Sequence, residues 1–229
     1  MNDFQFLSSF IAIAVPMLFL VLMLENKSSR QVILFFSWGL FAGILAFNLN
    51  NLFGVTRDQA ERMTISIAPM IEEVCKGLPV LLFLNKKKYP HLTKHIVFCA
   101  LASGIGFSVQ ESLFYYSISS HNVIDVLLLT VRVLTTSLMH GMVTAAFGIG
   151  IMVLQKQRSM LVPVIFGLFA LCVGLHSLFN LLMHTWMAWL SMLIPVVMFF
   201  AGWMFLRNYN GTTPGSAEPP PSCANGAKD

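Results

Sequence analysis

Several residues able to do chemistry stand inside otherwise apolar stretches of this chain. Pro69 to Pro79 holds Glu72, Glu73 and Lys76; further on come Glu111, Arg132, His140, His176 and Asn180. On a helix, Glu72 and Lys76 are i,i+4 and Glu73 and Lys76 are i,i+3, so both carboxylates can reach one ammonium. Each ionised side chain near a bilayer centre costs about 2.5–3.5 kcal/mol, and such groups mark functional sites by default. The plainer reading is a self-neutralised cluster that only fixes helix packing. Activating water at a peptide bond needs a base, an orienting partner and an oxyanion stabiliser. Glu72 as base, Glu73 sharing its proton, His140 positioning the water, and His176 with Asn180 as oxyanion donors form a complete hydrolytic set. The same Glu72, His140 and His176 could instead hold Zn²⁺ with one position open. The HExxH spacing is absent, and the sequence does not choose between metal and no metal.

These residues fall on shared helix faces. Cys172, His176 and Asn180 are successive i,i+4 neighbours, as are Arg132, Thr136, His140 and Thr144. A polar stripe on an apolar helix turns toward the bundle interior, because lipid rejects it. Arg132 is a natural partner for Glu111 or for one of Glu72 and Glu73; its plainer reading is a side chain snorkelling to the interface. Glu111 has Tyr115 one turn on and Gly104 two turns back. His91, His95, His121 and His184 sit in loops or at span ends, where a solvated ring is expected.

The elements that must carry this set are transmembrane helices. The chain has 229 residues, 56% hydrophobic and 10% charged, with mean hydropathy +0.74; a soluble domain carries roughly 25% charged residues. The expected fold is an all-α, polytopic transmembrane bundle of about seven spans. They run near 4–24, 32–53, 64–84, 95–118, 126–154, 161–183 and 186–206. Glu25 to Arg30 reads as a short polar loop. Gly39 and Gly43 stand at GxxxG spacing, which permits close helix approach. The join at His184 and Thr185 is tight enough to hide a re-entrant pair. The first apolar run lacks a positive flank and a cleavage site, so it reads as a retained span.

One set of loops carries Lys27, Arg30, Lys86, Lys87, Lys88, Lys94, Lys156, Arg158 and Arg207; the other holds Arg57 and Arg62. The first set is therefore expected on the cytoplasmic side, with the N-terminus outside and the C-terminus cytoplasmic. Residues 1–207 form the helical domain, and the Pro/Gly-rich 208–229 reads as a disordered tail. The net charge of +4 is spread over short loops, which argues against a nucleic-acid partner. Cys75, Cys99 and Cys172 read as small buried hydrophobes, and Cys223 is not in a prenylation box. At 1.5 Å rise per residue, Glu72 lies roughly 12–14 Å below the outer face, with Glu111 and His176 also in the outer half. His140 comes out deeper, roughly 20 Å, if its span begins at Val126. Either that span begins earlier, or it extends beyond the membrane, or the site is spread in depth.

At these residues the chain resembles a known family. Glu72-Glu73-Val74-Cys75-Lys76 looks like the EExxK signature of PrsW-type intramembrane proteases, grouped with the CAAX-prenyl-protease and bacteriocin-processing superfamily, whose box is EExxxR. Gly106 to Ser112 resembles the second box, with Ser112 in place of the usual Asn. Arg132 to His140 resembles the third, and His176-Ser177-Leu178-Phe179-Asn180 an HxxxN box. The match covers roughly 65–182, in order. The resemblance implies a bacterial inner-membrane endopeptidase making the first, extracytoplasmic cut in a single-span partner such as an anti-sigma factor. It implies Glu72 as base, Glu73 and Lys76 tuning it, His140 as water ligand, His176 and Asn180 as oxyanion site, and Glu111 as a further box acid. Some relatives are described as metalloproteases, so Zn²⁺ stays open from this side too.

Three other readings compete. A non-catalytic scaffold of the same fold would need fewer polar residues. An ion-coupled transporter could use the same carboxylates and histidines as a relay, but no internal repeat is evident. A CAAX-type prenyl protease would carry EExxxR rather than EExxK.

Overall fold

The computed structural model describes residues 21–52, 60–82, 93–118, 123–154 and 160–208. The expected first span, apart from its last residues, and the loops holding Lys86–Lys88, His91 and His121 lie outside the described residues, as does the tail with Cys223. The described part is helical throughout its main elements: α1 (Lys27–Leu52), α2 (Ala60–Leu82), α3 (Thr93–Ile118), α4 (Val123–Leu154), α5 (Leu161–Met183), the single turn α6 (Ala188–Ser191) and α7 (Leu193–Asn208).

Among the described residues, five segments are long and apolar enough to cross a membrane: Lys27–Leu52, Lys94–Phe114, Val133–Met152, Val162–Met183 and Ala188–Asn208. α2 has comparable length and carries Glu72, Glu73 and Lys76 within it. α1 starts earlier than expected, so the Glu25–Arg30 loop shrinks to a short break. There Asn26 Oδ1 accepts from the Ser28 amide at 2.9 Å, an N-cap contact that starts the helix. The join after α5 is a pair of tight turns, with the His184 amide donating to the carbonyls of Asn180 and Leu181.

α3 is the central helix, packed along α1 on one side and α4 on the other. A Cβ on Gly39 would collide with the Ser103 carbonyl, and one on Gly43 would come within 2.9 Å of Gln110 Cβ. The GxxxG pair therefore sets the α1–α3 approach, as small residues do where backbones meet. Gly104 does the same across the α3–α4 contact, against the His140 carbonyl. The core joins Val80, Ile96, Ala100, Met139, Val143 and Phe179. Cys75, Cys99 and Cys172 are free and buried. α5 and α7 turn Phe166, Leu171, Val197 and Phe200 outward, the pattern of helices that face lipid.

α4 is 32 residues long, about 48 Å at the helical rise, and exceeds a hydrocarbon core of about 30 Å. Within it, Val133–Met152 is long and apolar enough to cross a membrane. The part of α4 in excess of that thickness can extend past the bilayer.

Candidate functional site

Glu72, Glu73 and Lys76 occupy one turn of α2, Glu111 sits on α3, His140 on α4 and His176 on α5. Lys76 is fully buried, and Glu73, His140 and His176 are nearly so. Lys76 Nζ donates to Glu73 Oε1 at 2.6 Å. It also lies 2.8 Å from His140 Nδ1 and 4.6 Å from the centre of the Phe107 ring. Both sequence spacings allowed the ammonium to reach a carboxylate, and it takes Glu73. Its remaining reach is directed across to His140 on α4.

An ammonium can only donate, so His140 Nδ1 accepts. Its Nε2 then carries the hydrogen and donates to Glu111 Oε2 at 2.7 Å. Glu111 thus pairs with His140. Arg132, the partner expected for Glu111, Glu72 or Glu73, lies on α4 two turns before His140, and its side chain is outside the described residues.

His176 is fixed in the same way. Glu73 Oε1 accepts from Nδ1 at 2.8 Å, which leaves Nε2 without a hydrogen. That nitrogen faces Glu72 Oε2 at 3.6 Å. The rings of His140 and His176 stand edge to face, 4.8 Å between centroids. Glu72 Oε2 is buried with no hydrogen-bond partner among the described residues. Such orphans are rare, and each calls for an explanation.

The contacts thus bring together Glu72, Glu73, Lys76, Glu111, His140 and His176. Asn180 is half-buried one turn beyond His176 on the same helix. His95, expected to be solvated, is half-buried, with Nε2 2.8 Å from Gln31 Oε1. The parallel packing of α1 and α3 brings these two residues together.

The donor set fits a metal ion. Ligand atoms of Glu72, His140 and His176 all lie within 4.8 Å of one another. Two histidines and one glutamate are a ligand set of catalytic zinc sites. Three carboxylates facing one ammonium leave excess negative charge among the described residues, and an unprotonated imidazole nitrogen pointing at an orphaned carboxylate oxygen is a pair that a cation would satisfy. Glu73 behind His176 matches the carboxylate–histidine support that fixes metal ligands. His140 would have to exchange its Glu111 hydrogen bond to serve as the third ligand.

Several supporting residues were not singled out from the sequence. Trp38 Nε1 donates to the Cys75 carbonyl at 2.9 Å, and Ser103 Oγ to the Lys76 carbonyl at 3.0 Å. Ser108 and Ser137 hydroxyls meet at 2.6 Å between α3 and α4. Pro79 was the available signal for Trp38. A proline inside a helix leaves the carbonyl four residues earlier without its donor.

No curated protein and no solved structure matches this chain with significance. The sequence model described as PrsW family intramembrane metalloprotease matches residues 27–206, a stretch that includes every residue of the cluster. The chain therefore belongs to the PrsW family of intramembrane metalloproteases.

Proposed function

We propose that this protein is an intramembrane endopeptidase that cuts a single-span membrane protein with water activated at Glu72. The observation that carries this reading is the buried Glu72 Oε2, unpaired and facing the free Nε2 of His176 at 3.6 Å. A base needs a free lone pair within reach of the proton it takes, and Glu72 has one.

The water oxygen adds to the scissile carbonyl carbon as Glu72 takes its proton. The resulting oxyanion is met by donors from the Asn180 side of α5. Glu72 then gives the proton to the leaving amide nitrogen as the C–N bond breaks. Glu73 holds the His176 ring in one tautomer, and Lys76 and Glu111 hold His140 in another. Alternatively, Glu72, His140 and His176 would hold Zn²⁺, which would supply a water of lowered pKa and polarise the carbonyl.

The Lys/Arg-rich loops argue for about seven spans, with the N-terminus outside and the C-terminus in the cytoplasm of a bacterial inner membrane. The cluster then lies in the outer half of the bilayer. A substrate cut near its external juxtamembrane segment, such as a membrane-anchored anti-sigma factor, suits that depth. EExxK rather than EExxxR favours this over prenyl-protease activity.

The test is proteolysis in reconstituted liposomes against a panel of single-span substrates, with the products sized by mass spectrometry. Cleavage within or beside the outer half of the substrate's span supports the reading. Cleavage only of prenylated C-terminal peptides would replace it with the prenyl-protease reading.

A further inference from the structure

α2 contains Pro79 one turn after the cluster. Proline lacks an amide hydrogen, so the Cys75 carbonyl has no donor from its own helix. Trp38 of α1 fills that place, its indole N–H donating to Cys75 O at 2.9 Å. The next carbonyl, that of Lys76, accepts from Ser103 of α3 at 3.0 Å. Two neighbouring helices thus grip α2 at consecutive residues, Cys75 and Lys76, within one turn of Glu72 and Glu73.

An ordinary residue at position 79 would keep the Cys75 hydrogen bond inside α2. Pro79 transfers it to α1, so a bond that would only stiffen the helix instead fixes its register and rotation. Lys76 needs that fixity: its ammonium must meet Glu73 at 2.6 Å and His140 at 2.8 Å together. The anchor is itself packed, since Trp38 lies against the cluster of Ala42, Ala46, Cys75 and Phe107.

We propose that Trp38 is a positioning residue for hydrolysis, replacing the amide that Pro79 lacks and, with Ser103, setting where α2 presents Glu72, Glu73 and Lys76. This inference rests on the hydrolytic reading of the cluster.

The test is a double-mutant cycle of Trp38→Phe and Pro79→Ala, in full-length protein in liposomes. Trp38→Phe keeps the ring and removes the donor. It is expected to lower kcat about tenfold with KM within about twofold, because the machinery and not the docking surface is displaced. Pro79→Ala restores an amide to the Cys75 carbonyl, so in that background Trp38→Phe costs less than about twofold in kcat. Wild-type kcat in Trp38→Phe, or an equal loss in both backgrounds, overturns the proposal. Thermal-unfolding midpoints of the same four proteins give a readout that needs no substrate. Trp38→Phe should lower the midpoint in the wild-type background and leave it nearly unchanged in the Pro79→Ala background; equal shifts overturn the proposal. If no form cleaves any substrate, the protease reading falls, and the midpoint cycle still decides whether Trp38 substitutes for the missing amide.

Discussion

His176 Nε2, left without a hydrogen, faces the buried Glu72 Oε2 at 3.6 Å. Glu73, accepting from His176 Nδ1 at 2.8 Å, enforces this by claiming the ring's hydrogen. A bare ring nitrogen and a buried carboxyl oxygen directed at one another are held together by a proton or a cation between them. Zinc binding should therefore depend on Glu73 as well as on the ligands. Glu73→Gln is expected to weaken zinc affinity about 10–100-fold, and His176→Ala to abolish stoichiometric binding. Metal content by mass spectrometry after dialysis against a competing chelator checks both.

Lys76 should matter for folding as much as for catalysis. It is fully buried and paired with buried Glu73. Lys76→Met leaves that carboxylate uncompensated, at a cost of about 3–5 kcal/mol. Reversible unfolding in detergent should show this loss. Glu73→Gln in the Lys76→Met background should recover part of it, since the stranded charge is then gone.

Close approach of α3 and α4 should be equally sensitive. A Cβ at Gly104 would run into the His140 carbonyl and the Gly141 Cα, whereas one at Gly167 would meet nothing within 4 Å. Gly104→Ala is expected to destabilise by at least about 1–3 kcal/mol, the usual cost of overpacking, and to impair cleavage by moving His140. Gly167→Ala should leave both stability and cleavage unchanged within error. Unfolding midpoints and initial rates of the two variants provide the comparison.

Gln110 offers a contrast between stability and satisfaction. Its carboxamide is buried, and neither Nε2 nor Oε1 has a hydrogen-bond partner among the described residues. Replacing an unsatisfied buried amide by an apolar side chain of similar shape removes a desolvation cost of about 1–3 kcal/mol. Gln110→Met is therefore expected to raise the unfolding midpoint. A lowered midpoint would show that the amide is satisfied after all.

Much of this arrangement was legible in the sequence, and the rest failed for identifiable reasons. The apolar runs gave the helices. The i,i+4 relations placed Thr136, His140 and Thr144 on one buried face, and Cys172 and His176 on another. Spacing within α2 could not tell which carboxylate Lys76 would take, because i+3 and i+4 are both in reach; His140, from another helix, decides it. The His140–Glu111 pair depends on the register of α3 against α4, which Gly104 sets and no local pattern reveals. His95 looked solvated from its place at a span end, but the parallel packing of α1 and α3 gives it Gln31.

The most direct measurement is cleavage of a membrane-anchored substrate by wild type and Glu72→Gln in liposomes, with zinc content and unfolding midpoint recorded on the same samples. The account predicts cleavage by wild type and a loss of at least about a hundredfold in Glu72→Gln, in keeping with removal of a general base, with the fold intact. Cleavage by a folded Glu72→Gln protein at the wild-type rate would contradict it.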